Sequence, residues 1–124
     1  LKPACYYSAV TPTPVVTRPH SRGLITINST DPFEPPLIYP NYFTDKDNHD
    51  INVLVDSLNE ASRLVNTRPF RDNGITLNTT PVRGCENFQY GTNPYWECAV
   101  KQITNTYFHY CGTCKKLCCV QVFY

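Results

Sequence analysis

The distribution of proline constrains this chain more than any other feature of its sequence. Eleven prolines stand against five glycines in 124 residues, and eight of the eleven lie among the first forty residues. Proline fixes φ, lacks an amide donor and pushes the residue before it towards extended conformations. The N-terminal third is therefore expected to form turns and edge strands rather than helices or central strands.

Short apolar stretches between these prolines predict strands. Residues 24 to 28 read Leu-Ile-Thr-Ile-Asn, rich in β-branched side chains, and follow a turn at residues 19 to 23. Asp-Pro and Pro-Pro make residues 29 to 36 a non-helical connection, after which residues 37 to 43 resume as an extended stretch. We expect several antiparallel strands among residues 4 to 43.

The hydrophobic period changes after this region. Apolar residues then recur three and four positions apart, which places them on one stripe of a helix from about residue 45 to 66. The stripe contains Ile51, Leu54, Val55, Leu58, Ala61, Leu64 and Val65. Aspartates at its start can cap free amides and oppose the positive end of the helix dipole, and Pro69 stands just beyond its end.

A second helix is predicted from Tyr95 to about Thr104, because the Asn-Pro pair before it supplies a cap and a first-turn proline. Residues 71 to 91 are rich in turn formers and predict an irregular connection with one short strand at residues 75 to 77. Together these segments predict an α+β fold, with a long helix packed on one face of an antiparallel sheet.

Charge and hydropathy argue against several classes of partner. The formal net charge is +1, so no strong field would attract nucleic acid or an anionic membrane. No apolar run approaches the ~20 residues that span a bilayer. The five glycines form no dinucleotide-binding or phosphate-binding loop.

The chain opens on Leu1 without a signal-peptide pattern, so we expect a processed or truncated chain.

The chain contains seven cysteines, an odd number that leaves at least one unpaired within a monomer. Cys85 and Cys98 flank a turn-rich loop of twelve residues, and the second lies on a predicted helix. They are a candidate disulfide in an oxidising compartment. Sequence alone does not fix the connectivity, so other pairings stay open.

Metal-ligand side chains gather near the C-terminus, at His109, Cys111, Cys114, Cys118 and Cys119. A structural zinc site usually draws two ligand pairs from segments a dozen or more residues apart, whereas these crowd into one short stretch. We therefore expect no metal. A redox role for the Cys-Gly-Thr-Cys motif would need a strand-helix-strand context that the sequence does not predict.

Two sequons mark Asn28 and Asn78 as candidate N-glycosylation sites, in Asn-Ser-Thr and Asn-Thr-Thr respectively. Together with the cysteine content they favour an extracellular, secreted protein. Sequons are short enough to arise by chance, so ordinary polar strand and loop residues are the alternative.

The three histidines differ in their surroundings. His20 and His49 lie in a turn and at a helix start, where solvated or capping roles are expected. His109 stands among aromatic residues, in a stretch too apolar for a surface loop, and a neutral imidazole there can act as a general base. From the residues alone, a hydrogen-bonded core histidine is the simpler alternative.

Three segments together resemble the C-terminal, substrate-binding region of glucose-methanol-choline (GMC) oxidoreductases, most closely the insect glucose-dehydrogenase-like branch. Residues 18 to 43 carry Ser-Arg-Gly, Asp-Pro and Pro-Asn-Tyr in the family's order and spacing. The Asp-bearing helix at 45 to 66 follows. Residues 95 to 115 then run from Tyr-Trp-Glu-Cys through Thr-Asn-Thr to His109 and Gly-Thr-Cys-Lys.

The resemblance implies an FAD-dependent enzyme that oxidises CH–OH groups of alcohols or sugars, with His109 accepting the substrate proton while hydride passes to the flavin. It implies an incomplete substrate-binding region over residues 1 to 115 and a divergent tail over 116 to 124. Tyr110 and Cys111 depart from the Pro-Val that usually follows this histidine.

The family's flavin-binding part and its return segment, with the second catalytic His or Asn, have no counterpart in the chain. The resemblance therefore implies that this chain alone holds FAD weakly and is inactive. The alternative is a non-catalytic, secreted, cysteine-rich binding module that retains the same scaffold.

Overall fold

The computed structural model describes residues 9 to 106, Phe108 and the backbone of residues 120 to 122. The strands in these parts of the chain are β1 (Val15–Val16), β2 (Leu24–Thr26), β3 (Leu37–Tyr39), β4 (Thr104–Thr106) and β5 (Val120–Val122). The helices are α1 (His49–Leu64), α2 (Arg68–Asp72) and α3 (Asn93–Ile103). This is a small α+β unit, as the sequence predicts.

The strands form two antiparallel sheets rather than the single sheet expected. β2 pairs with β3 in a two-stranded ribbon, with Ile25 opposite Ile38. In the other sheet β5 lies between β1 and β4, with Val16 opposite Val120. β1 therefore pairs with the C-terminal part of the chain, and residues 120 to 122 of the divergent tail supply the central strand.

Helices α1 and α3 supply most of the core. They pack against each other, and α1 also contacts β1. The buried apolar residues are Val16, Ile51, Leu54, Val55, Leu58, Cys85, Tyr95, Trp96, Ala99 and Val100. The first four residues of the predicted stripe of α1 are thus buried, whereas Leu64 at its end is exposed. The packing of a long helix across a sheet face stays a prediction.

The start of α1 lies later than predicted. Asn48, which precedes the helix, adopts a left-handed backbone with φ 53°, and its N–H donates to the Asp45 carbonyl. Residues 45 to 48 therefore form a turn. The N-cap residue is Asn48, and its side chain makes no hydrogen bond to the helix amides. Pro69 lies beyond the end of α1, as predicted, and occupies the first turn of α2, where a missing N–H breaks no helical hydrogen bond.

The connection between α2 and α3 is irregular, and the predicted strand at residues 75 to 77 does not form. Helix α3 begins two residues before the predicted start. Its N-cap is Thr92 rather than Asn93, because the Thr92 hydroxyl accepts a hydrogen bond from the Tyr95 N–H at 3.4 Å.

The β2–β3 ribbon and its connection expose large apolar side chains. Ile27 is 87% exposed and Phe33 is 93% exposed, while Leu24, Ile38 and Tyr39 are each about half exposed. A two-stranded ribbon is marginally stable alone, and exposed apolar surface of this kind marks a contact surface. We expect it to promote self-association of the isolated chain.

Replacing Phe33 with Ser should shift the isolated chain towards monomer in sedimentation velocity experiments. The free energy of unfolding should change little, because the ring is exposed. Phe88→Ser, a change outside the ribbon at a less exposed ring, is the matched control and should leave association unchanged. Equal association of the parent chain and Phe33→Ser would show that the ribbon is not the contact surface.

Candidate functional site

A network of polar side chains joins the turn after β1 to the start of α1. At its centre is the Asp50 carboxylate, which is only 1% exposed. It accepts hydrogen bonds from the backbone N–H groups of His20, at 2.6 Å, and Ser21, at 2.9 Å. These bonds connect residues about thirty positions apart. Asp50 therefore fixes the turn against the helix.

The buried Ser21 hydroxyl extends this network. It donates to one carboxylate oxygen of Asp45 at 2.9 Å and accepts from the backbone N–H groups of Thr44 and Asp45. The other Asp45 oxygen accepts the Asp50 N–H at 3.3 Å. The turn that precedes α1 is thus held by the Ser21 hydroxyl from a distant segment and by its own Asp45 carboxylate, which binds an amide of the helix.

The two histidines with expected solvent or capping roles instead contact each other. The rings of His20 and His49 are stacked, with centroids 3.8 Å apart. His20 Nδ1 also lies 2.9 Å from a carboxylate oxygen of Asp47, with both side chains largely exposed. The sequence spacing of these three residues gave no signal of this contact, because it depends on how the turn docks on the helix.

Two aspartates of the network have lowered pKa values. Burial raises the pKa of Asp50, but hydrogen bonds from Ser21 and from the His20 backbone, together with the His49 ring, outweigh burial, so the pKa lies below its ordinary value. The hydrogen bond from His20 lowers the pKa of Asp47. Both carboxylates are therefore ionised at neutral pH.

The network anchors the fold and shows no feature of a binding site. Its residues line neither of two surface grooves, one between the N-terminal segment and α1 and one between α1 and α3. Within residues 9 to 106 and Phe108, no group of three His, Cys, Asp or Glu side chains could hold a metal ion. Its contribution is to position α1.

The candidate catalytic residue, His109, lies outside the described residues, between strands β4 and β5. These strands pair with Thr106 opposite Val120, so the connection that contains His109 begins and ends at neighbouring positions of one sheet. Phe108, which directly precedes His109, has a left-handed backbone with φ 59°. Its N–H donates to the Thr106 hydroxyl at 3.2 Å. The chain therefore turns sharply at the end of β4.

The other candidate residues lie apart from this connection. Cys85 and Cys98 form a disulfide with a Cα–Cα distance of 5.9 Å, which joins the irregular connection to α3. Asn28 and Asn78 are both exposed, in separate loops. Cys111, Cys114, Cys118 and Cys119 lie outside the described residues, as does Cys5.

The chain belongs to the GMC oxidoreductase family, because the family model described as GMC oxidoreductase matches residues 19–115. It is similar to the glucose dehydrogenases (FAD, quinone) of Drosophila pseudoobscura pseudoobscura and Drosophila melanogaster, with 44% and 43% identity over 102 residues. It is 29% identical to ecdysone oxidase of Bombyx mori over 108 residues, which are 86% of this chain and 15% of that protein.

The alignments with the two Drosophila enzymes cover 82% of this chain and 16% of each relative. The chain therefore spans about a sixth of the length of these relatives. No solved structure matches the chain significantly. In the described parts of the chain, none of the helices is long and apolar enough to cross a membrane.

Neither of the two grooves suits a flavin. The two grooves have volumes of about 330 and 250 Å³, and neither is lined by an aromatic ring or a basic side chain. Carboxylates line both grooves, Glu60 in the first and Asp56 and Glu97 in the second, and they would repel the pyrophosphate of FAD. We assign no FAD contact to this part of the chain.

Replacing Asp50 with Asn should lower the free energy of unfolding by about 1.5 to 3 kcal/mol, since hydrogen bonds to a charged acceptor are worth this much. Urea unfolding followed by circular dichroism measures the change. Asp56→Asn, at an exposed position of the same helix, is the matched control and should have little effect. Equal losses in the two variants would contradict the anchoring role.

Acid should weaken the fold through the same carboxylate. A lowered folded-state pKa contributes stability that is fully present above the unfolded pKa, about 4 for Asp, and is lost as the pH falls through the folded pKa. Urea unfolding at a series of pH values should therefore show a steeper acid loss for the parent chain than for Asp50→Asn. Parallel pH profiles would show that Asp50 does not carry this dependence.

Proposed function

We propose that this chain is the C-terminal portion of an FAD-dependent oxidoreductase that oxidises a CH–OH group of an alcohol or sugar. The observation that carries the proposal is the family match over residues 19–115, together with 43–44% identity to two glucose dehydrogenases. Glucose and ecdysone, for which these relatives are named, both carry hydroxyl groups. A hydroxyl-bearing substrate is therefore the proposed class.

Within this proposal His109 accepts the proton of the substrate hydroxyl. An alcohol is a very weak acid, so a base with a pKa near neutrality lowers the barrier by removing that proton as the carbon loses hydride. FAD, held by other parts of the enzyme, supplies the hydride acceptor. His109 lies inside the matched range, and the paired ends of β4 and β5 hold the connection that contains it.

The activity is proposed for the complete enzyme and not for these 124 residues alone. The aligned part is 16% of the length of the Drosophila relatives, and neither of the two grooves suits a flavin. A base positioned without its redox partner turns over no substrate. The chain's share of the reaction is then to position His109 against the hydroxyl group.

A chimera tests this function directly. Residues 19 to 115 replace the aligned segment of Drosophila melanogaster glucose dehydrogenase, and glucose oxidation is measured with a quinone acceptor. The chimera should bind flavin and oxidise glucose. His109→Asn should lower kcat by a factor of about 10² to 10⁴, the usual contribution of a general base. It should also remove the acid limb of the kcat/KM profile, because that limb reports protonation of the base.

His49→Asn is the matched control, because His49 stacks on His20 in the anchoring network and lies outside the matched histidine motif. It should leave kcat close to that of the parent chimera. The flavin absorption band of each variant separates loss of chemistry from loss of fold. A flavin-bound His109→Asn chimera with the parent rate would refute the role of His109. A flavin-bound parent chimera that oxidises neither glucose nor other alcohols would favour the binding-module alternative.

A further inference from the structure

The segment between α2 and the disulfide presents one of the two sequons in an open position. Asn78, Thr79 and Thr80 are all exposed, and the segment around them contains neither helix nor strand. The Asn78 carboxamide oxygen accepts the Thr80 N–H at 3.1 Å, which holds the two ends of the sequon together in a turn. A glycan at this position would meet solvent and would disrupt no strand ladder.

The disulfide in the same segment is an independent observation that points to the same compartment. Cys85 is buried, lies seven positions after Asn78 and is joined to Cys98 of α3. Disulfides form and persist in oxidising compartments such as the lumen of the endoplasmic reticulum, where N-glycosylation also takes place. The segment from residue 78 to 85 thus contains both the candidate glycan acceptor, Asn78, and one cysteine of the disulfide, Cys85.

The second sequon has different surroundings. Asn28 lies two residues after β2, in the connection between the two strands of the ribbon. The nearby side chains of Ile27 and Phe33 are exposed and apolar. Under the proposed function, this ribbon surface would be covered by the rest of the enzyme, so a glycan at Asn28 would obstruct that contact. The structure therefore favours Asn78 over Asn28 as the modified residue.

We infer that Asn78 is the residue that receives an N-linked glycan when the chain passes through a secretory pathway. In the transfer step, Asn78 Nδ2 bonds to the anomeric carbon of a lipid-pyrophosphate oligosaccharide. The bond from that carbon to the pyrophosphate oxygen breaks, the lipid pyrophosphate leaves, and Nδ2 releases one proton. No oxidation or reduction occurs.

The full chain with an added signal peptide, produced in insect cells, tests this inference. Peptide mass spectrometry before and after treatment with a peptide-N-glycosidase reports glycan occupancy in both secreted and cell-retained protein, so poor secretion does not prevent a result. Asn78 should be occupied. Asn78→Gln should remove the glycan at this position. Thr80→Ala should also remove it, although it leaves the acceptor Asn78 unchanged. Asn28→Gln should leave the glycan at Asn78 in place.

A glycan at Asn78 supports the inference whether or not Asn28 carries a second one. Protein that contains the Cys85–Cys98 disulfide but lacks a glycan at Asn78 overturns it, as does a glycan on Asn28 alone. Peptide mapping without reduction shows the disulfide in the same sample. The test requires no flavin and no turnover, so its outcome is separate from that of the proposed oxidoreductase activity.

Discussion

The described structure depends first on one buried carboxylate. Asp50 lies near the start of α1 and binds the backbone N–H groups of His20 and Ser21, so the turn that follows β1 in the proline-rich region is attached to the helix that supplies much of the core. A buried charge is tolerable only when hydrogen bonds replace its hydration, and the backbone amides of the turn provide them. The Ser-Arg-Gly turn and the Asp-bearing helix, two segments of the family resemblance, meet at this contact.

The rest of the described chain is organised around that helix. α3 packs against α1, and the Cys85–Cys98 disulfide attaches the irregular connection to α3. β4 follows α3 directly and pairs with β5, so the rigid helix pair also determines where the connection containing His109 begins. The role proposed for His109 requires this kind of support, because a displacement of about 1 Å can cost a factor of 10² in rate.

Local patterns made part of this structure predictable. The spacing of Leu54, Val55 and Leu58 predicted α1, and the Asn-Pro pair predicted α3 to within two residues at its start. The aspartates at the start of α1 were expected to cap it, and Asp45 does accept the first-turn N–H of Asp50, whereas the Asp50 carboxylate binds a distant turn. The stacking of His20 on His49 and the pairing of β1 with β5 also gave no local signal, since each joins segments that are remote in sequence. Hydrophobic periodicity records which face of an element is buried, but not which partner covers it.

The sequence by itself determined the class of the elements and the family of the chain. Apolar spacing and proline placement act within a few residues, and the motif order around His109 is a property of the chain in any conformation. Only the tertiary structure decided that Asp50 is an anchor, that the apolar ribbon is exposed and that both sequons face solvent. Each of these depends on which distant segments meet and which surfaces they leave to solvent, because burial and hydrogen-bond partners are set by packing across the whole chain.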